Sequence, residues 1–127
     1  MRPKGQNLII VAARPGILRN SLLSYLRALP GVQAISLADD TAIALQMVRE
    51  DKPRLIVLDS DLTEDGVLDL IQRMLAEELN VKSIVLAESI RQQQLCLAKG
   101  ATYALLKGFL DAPLKEAVLS EMEITDS

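Results

Sequence analysis

Apolar runs and helix-periodic stretches alternate five times along this chain. The short apolar runs are typical of strands that are buried on both faces. They span residues 8–13, 32–37, 55–59, 83–87 and 104–107. After each run, apolar residues recur every three or four positions, which predicts helices at 17–29, 39–50, 66–79, 89–100 and 111–122. Strands that alternate with helices in this way predict a doubly wound α/β fold with a parallel sheet.

Two of the helices have apolar faces that are predicted to point into the core. The inward residues are Ile43, Met47 and Val48 in the second helix, and Leu68, Ile71, Met74, Leu75 and Leu79 in the third. The fourth helix has a capping box, Ser89 to Gln92, at its start and Gly100 as a left-handed residue at its end.

The third strand ends in a carboxylate. Four apolar residues precede Asp59, and an acidic segment rich in turn residues follows it. In open α/β sheets the functional groups lie at the carboxyl ends of the strands. Asp59 is therefore the first candidate for a functional residue.

Length and composition predict one domain over residues 1–127, with a core of about 7–123 and a loose tail at 124–127. A chain of this size buries about two-thirds of its unfolded surface. Half of its residues are apolar but very few are aromatic. The core must therefore consist mainly of Leu, Ile, Val and Ala.

Charge and reactive side chains exclude several functional classes. A net charge of −3 gives no basic surface for nucleic acid or an anionic membrane. The single cysteine, Cys96, forms no internal disulfide, and the lack of histidine disfavours zinc sites and histidine-based catalysis. No apolar run approaches the ~20 residues that span a bilayer. These features predict a cytoplasmic domain that is not an enzyme.

Three landmarks together carry a family resemblance: Asp59 and Ala87 at strand ends, and the stretch 100–107 that ends in Lys107. Their order and spacing resemble the receiver domain of two-component response regulators. Residues 29–32 and 53–66 look most like receivers that precede LuxR-type DNA-binding domains. The resemblance implies a flavodoxin-like (βα)5 fold with strand order 2-1-3-4-5. It also implies that Asp59 is the phosphoacceptor position and Lys107 the family's lysine.

Four positions of the family's site are alanine in this chain. Ala12 and Ala13 stand where receivers carry two acidic magnesium ligands. Ala87 replaces a Ser or Thr that contacts the phosphoryl group, and Ala104 replaces an aromatic residue that acts as a switch. Tyr103 is one residue away, so strand alternation predicts that it faces the opposite side of the sheet.

These departures predict weak or absent Mg²⁺ binding and no other cofactor. Mg²⁺ is usually held by one or two carboxylates, and Asp59 with a carbonyl near Asp61 is a poor site. Arg14 follows the two alanines, so we predict that its guanidinium lies near Asp59 and that, with Lys107, it balances the charge without a metal. The alternative is that Arg14 points to solvent from a turn.

The function predicted from these features is an atypical receiver that acts through protein–protein contacts. The resemblance implies a histidine kinase or an output domain as a partner, and a homodimer through the face of the fourth helix, fifth strand and fifth helix. One alternative is a receiver that is still phosphorylated at Asp59 with weakly held metal. Another is a flavodoxin-like domain that binds a small ligand in a crevice lined by Ala12, Ala13 and Ala87.

Overall fold

A five-stranded parallel sheet forms the centre of the computed structural model, which describes residues 8–62 and 64–122. The strands are β1 (Leu8–Ala12), β2 (Ala34–Ala38), β3 (Leu55–Asp59), β4 (Lys82–Ala87) and β5 (Tyr103–Leu106). The helices are α1 (Ile17–Arg27), α2 (Thr41–Asp51), α3 (Glu64–Ala76), α4 (Ile90–Ala98) and α5 (Asp111–Glu121). A short 3-10 turn, Lys107–Phe109, follows β5. Within the described part of the chain, no helix has the length and hydropathy needed to cross a bilayer.

The strand order is β2-β1-β3-β4-β5, and every neighbouring pair is parallel. This confirms the predicted α/β fold class and strand order. All residues of β1 and β3 are buried, whereas β2 and β5 at the sheet edges are partly exposed. Central strands are covered on both faces, which is why the sequences of β1 and β3 are largely unbroken apolar runs.

Side chains that alternate along the strands separate two cores, one on each face of the sheet. On β3, Ile56 and Leu58 join the core with residues of α2, α3 and α4, whereas Leu55 and Val57 join the core with α1 and α5. On β5, Ala104 belongs to the first core and Tyr103 packs against the second. Tyr103 and Ala104 therefore face opposite sides, as the strand period predicts.

The predicted inward faces of α2 and α3 were wrong at two positions. Ile43 is 45% exposed, and the buried face of α2 includes Ala44 and Leu45 instead. Leu75 is 57% exposed although Ile71, four residues before it, is buried. Helical periodicity defines a stripe, but the packing of the whole helix decides which flank of that stripe reaches solvent.

Some element boundaries also differ from the sequence prediction. β2 begins at Ala34 and α1 ends at Arg27, so both elements are shorter than the apolar pattern indicated. β5 ends at Leu106, so Lys107 is the first residue of the 3-10 turn. Leu79 lies beyond the end of α3 but still packs against the core. The predicted core limits at positions 7 and 123 and the predicted tail at 124–127 lie outside the described residues.

Side-chain hydrogen bonds hold both ends of α5 against the rest of the domain. The Tyr25 hydroxyl donates to the Asp111 carbonyl at 2.7 Å. At the other end, the Tyr103 hydroxyl donates to the Glu121 carboxylate at 2.7 Å, and the Arg54 guanidinium donates to the Glu121 carbonyl. The hydrogen bond with Glu121 raises the pKa of Tyr103. These contacts fix α5 relative to α1, β3 and β5.

Candidate functional site

A close ion pair joins the ends of β3 and β5. The Lys107 ammonium lies 2.6 Å from Oδ1 of Asp59, and Asp59 is only 5% exposed. β4 lies between these two strands, so the lysine side chain has to cross its carboxyl end. Ala87 is the last residue of β4 and is fully buried. Its small methyl group leaves room for this crossing.

Two further carboxylates share the Lys107 ammonium. Oε1 of Glu88 lies 3.2 Å from the nitrogen, and Oδ2 of Asp61 lies 3.4 Å from it. The Asp61 backbone N–H also donates to Oδ1 of Asp59 at 3.0 Å. Three carboxylates from two different strand ends therefore converge on one cation. The side chains of Asp61 and Glu88 are each 57% exposed, so water screens their part of the interaction.

The contacts of Lys107 and Asp61 with their neighbours shift the pKa values of both side chains. Burial lowers the pKa of Lys107, but hydrogen bonds and charges from Asp59, Glu88 and Asp61 outweigh burial, and the net pKa is raised. A hydrogen bond with Glu88 is the largest cause of the lowered pKa of Asp61. Burial opposes that shift, and the positive charges of Lys107 and Arg14 add to it. The carboxylates thus keep Lys107 charged.

The loop between β4 and α4 holds Glu88 beside the lysine. The Ser89 hydroxyl accepts the Gln92 N–H at 3.1 Å, as the predicted capping box requires. The Gln92 side chain accepts the N–H of Glu88 at 2.8 Å, one residue before the N-cap N–H that a capping box pairs with this side chain. One residue further on, the Gln93 amide donates to the Ala104 carbonyl at 2.7 Å and joins α4 to β5.

Sequence reasoning missed Glu88 as a member of this site. Two signals pointed to it: it directly follows the strand that ends in Ala87, and it directly precedes the capping box. The carboxyl ends of neighbouring parallel strands meet at one edge, so an acidic residue there was a candidate partner for Lys107.

Two arginines flank the carboxyl end of β1. The Arg14 guanidinium donates to the Leu62 carbonyl at 3.3 Å, in the loop that also carries Asp61. The Arg19 guanidinium donates to the Ala13 carbonyl at 3.3 Å and to Asp39 at 2.5 Å. Arg14 therefore contacts the loop after β3, while the cation in contact with Asp59 is Lys107.

The residues at this edge do not fit the magnesium site of the receiver family. Ala12 and Ala13 are buried and supply no side-chain oxygen. Lys107 contacts Oδ1 of Asp59. Among the residues that the structure describes, no group of three or more acidic, histidine or cysteine side chains could hold a metal ion.

Comparisons with known proteins identify the fold. No family model matches the chain, and no curated protein matches it. Among solved structures, a LuxR-family DNA-binding response regulator from Staphylococcus aureus matches with a TM-score of 0.80 and 16% identity, over 92% of this chain and 99% of that one. The receiver domain of Francisella response regulator 1452 matches with a TM-score of 0.79 and 20% identity, over 91% of this chain and 96% of that one.

A third similar structure is the receiver domain of a sensor histidine kinase from Pseudomonas aeruginosa, which has a magnesium ion coordinated in its active site cleft. It matches with a TM-score of 0.78 and 19% identity, over 93% of this chain and 98% of that one. These likenesses confirm the resemblance to receiver domains at the level of the fold.

Proposed function

We propose that this chain is an atypical receiver domain of two-component signalling that acts through protein–protein contacts and not through Mg²⁺-dependent phosphorylation of Asp59. The observation that carries the proposal is that the strand ends beside Asp59 bear only methyl side chains, at Ala12, Ala13 and Ala87. The proposal treats residues 1–127 as one cytoplasmic domain without enzymatic activity, whose partner is a histidine kinase or an output domain.

The chemistry of phosphoryl transfer supports the proposal that Asp59 is not phosphorylated. The transition state spreads negative charge over three equatorial oxygens, and positive charge around those oxygens supplies most of the catalysis. Here the nearest cation, Lys107, is already surrounded by three carboxylates. Ala12 and Ala13 have no carboxylate that could bind a metal, and Ala87 has no hydroxyl that could donate to a phosphoryl oxygen. Asp59 therefore keeps a structural partner but lacks the groups that phosphorylation needs.

In this proposal Lys107 neutralises Asp59, and Arg14 acts on the neighbouring loop. Arg14 donates to the Leu62 carbonyl and its charge lowers the pKa of Asp61. Both effects favour one arrangement of the loop after β3. The two cations together take over the charge balance that a metal provides in the family.

The two alternative functions have weaker support. A receiver that is still phosphorylated at Asp59 would explain why Asp59 and Lys107 are paired, but the absent metal ligands count against it. A small ligand in the crevice at Ala12, Ala13 and Ala87 would find almost no accessible side-chain surface there, because each of these residues is at most 1% exposed.

We expect no saturable change in amide chemical shifts around Asp59 when the isotope-labelled protein is titrated with Mg²⁺ and beryllofluoride, a mimic of the phosphoryl group. The reason is that neither the metal nor the mimic finds its ligands. Asp59→Asn serves as the control, since any change that persists in this variant does not report the acceptor. Saturable shifts at millimolar Mg²⁺ that require Asp59 would establish the phosphorylated alternative.

The fourth helix supplies a surface for the proposed contacts. Ile90 and Leu97 are 62% and 46% exposed. They are seven residues apart, which places them on the same side of α4. The helix α4 packs next to β5, an edge strand of the sheet. The proposed occupant is a second copy of this chain, because the exposed apolar residues Ile90 and Leu97 of two copies cover one another in a symmetric dimer.

We expect a concentration-dependent dimer in sedimentation equilibrium, and we expect Leu97→Lys to weaken it by about tenfold or more, since a charge would then be buried at the contact. Leu75→Lys is the matched control, because Leu75 is a comparably exposed leucine on α3. A chain that stays monomeric at high concentration, or equal effects of the two variants, would contradict this contact.

A further inference from the structure

A cavity of about 510 Å³ opens at the end of the sheet opposite Asp59. Its walls come from the second half of α3, the amino end of β4 and the segment before β5. The residues that matter here are Ile71, Met74, Leu75, Lys82, Ser83 and Thr102. The volume falls within the range of small-molecule sites. None of the roles considered for Asp59 and Lys107 uses this region.

Two hydroxyl groups form a donor pair in this cavity. The Thr102 hydroxyl accepts the Ser83 N–H at 3.0 Å, and the Ser83 hydroxyl accepts the Thr102 N–H at 3.1 Å. Each hydroxyl therefore acts as an acceptor and keeps its own hydrogen as a donor. Ser83 is only 3% exposed. Among the described residues, neither hydroxyl hydrogen has an acceptor, so both are available to a ligand.

The opposite wall is apolar and incompletely covered. Ile71 and Met74 are buried, but Leu75 is 57% exposed. Leu75 lies directly over Gly100, where an added Cβ would come within 2.3 Å of its Cδ1. Gly100 has φ +113°, a conformation that favours glycine. The glycine thus permits a leucine position that exposes apolar surface, and a bound apolar group would remove that surface from water.

The rim determines which polar head group the cavity suits. Lys82 and Glu78 both line the cavity, so its rim carries one positive and one negative charge. A head group with a single negative charge matches this balance better than a phosphate does. Glu78 and Asn80 adopt left-handed backbone conformations, with φ of 54° and 52°. Such values are uncommon for residues other than glycine and cluster at ligand sites.

We propose that this cavity binds a small amphipathic carboxylate. The carboxylate accepts hydrogen bonds from the Ser83 and Thr102 hydroxyls, and the aliphatic tail covers Leu75. Charge-assisted hydrogen bonds to a carboxylate are stronger than those to a neutral acceptor. The proposal is independent of whether Asp59 is phosphorylated, because the two sites lie at opposite ends of the sheet.

Titration of the isotope-labelled full chain with octanoate tests the proposal. We expect saturable shifts at residues 71–83 and 100–102 at millimolar concentrations. Butyrate, with a shorter tail, should bind at least about tenfold more weakly, because fewer methylene groups are buried. Octylamine should also bind at least about tenfold more weakly, because an ammonium does not accept hydrogen bonds from the two hydroxyls.

Two variants test the two halves of the site. Leu75→Ser should weaken octanoate binding about tenfold, while Leu37→Ser, a matched change at an exposed leucine on β2, should leave it unchanged. Thr102→Val removes a hydroxyl donor and should weaken octanoate more than it weakens octanol. No saturable binding of octanoate, equal binding of octylamine, or unchanged affinity in Leu75→Ser would each overturn the proposal.

Discussion

Replacing Lys107 by alanine is expected to lower the free energy of unfolding by about 2–3 kcal/mol, because Asp59 then remains buried without its cation. Asp59 is 5% exposed and accepts one backbone hydrogen bond, from Asp61. The loss should be smaller than for a fully buried pair, since 19% of the Lys107 side chain is accessible to water. Urea denaturation near neutral pH measures the change.

A double-mutant cycle separates this pair from other effects of the substitution. Asp59→Asn removes the charge that Lys107 balances, so in that background Lys107→Ala should cost much less than in the wild type. Lys115→Ala is the matched control, because Lys115 is an exposed lysine on α5. Additive effects of the Asp59 and Lys107 substitutions would show that the ion pair contributes nothing to stability.

The Lys107→Ala variant also tests how the stability of the protein depends on pH in the alkaline range. The pKa of Lys107 is raised above its ordinary value of 10.5 in the folded protein. The stability from its charge is therefore fully present below 10.5 and is lost as the pH rises through the folded pKa. The difference in unfolding free energy between wild type and Lys107→Ala should stay constant near neutral pH and shrink only above 10.5. Tyr103 also titrates at alkaline pH, but it is present in both proteins and its contribution cancels.

Restoring the polar groups at the carboxyl ends of β1 and β4 is expected to create a magnesium site. The triple variant Ala12→Asp, Ala13→Asp, Ala87→Thr adds two carboxylates and a hydroxyl around Asp59. We expect its Mg²⁺ affinity to exceed that of the wild type by well over tenfold, because carboxylates replace part of the ion's hydration shell. Titration calorimetry measures the affinity, and the beryllofluoride experiment then tests whether Asp59 accepts a phosphoryl mimic.

Stability provides an independent measurement on the triple variant. Ala12 and Ala13 are at most 1% exposed in the wild type, so two carboxylates there should destabilise the protein until Mg²⁺ binds. Added Mg²⁺ should then raise the melting temperature of the variant and leave the wild type unchanged. Ala98→Asp together with Ala112→Asp controls for net charge, because both positions are exposed. A triple variant with wild-type Mg²⁺ affinity would show that the alanines do not explain the weak metal binding we propose.

The chain's local pattern was enough to predict the architecture and two members of the site. The unbroken apolar run before Asp59 indicates a central strand, because only a strand covered on both faces lacks polar positions. Alternation of strands and helices then implies parallel pairing, which brings the carboxyl ends of the strands to one edge. Asp59 and Lys107 follow apolar runs, so their placement at that edge could be predicted. The helix start at Ser89 could also be predicted from the sequence, since a capping box depends on two residues three positions apart.

Only the tertiary structure decided what surrounds these two residues. The approach of Glu88 and Asp61 to Lys107 depends on loop conformations and on the lysine crossing β4. The exposure of Leu75 and the cavity beside it depend on how α3 packs over Gly100. Periodicity describes each segment by itself, whereas these contacts join segments far apart in sequence. Distances between such segments are set by the packing of whole elements, and no local pattern encodes them.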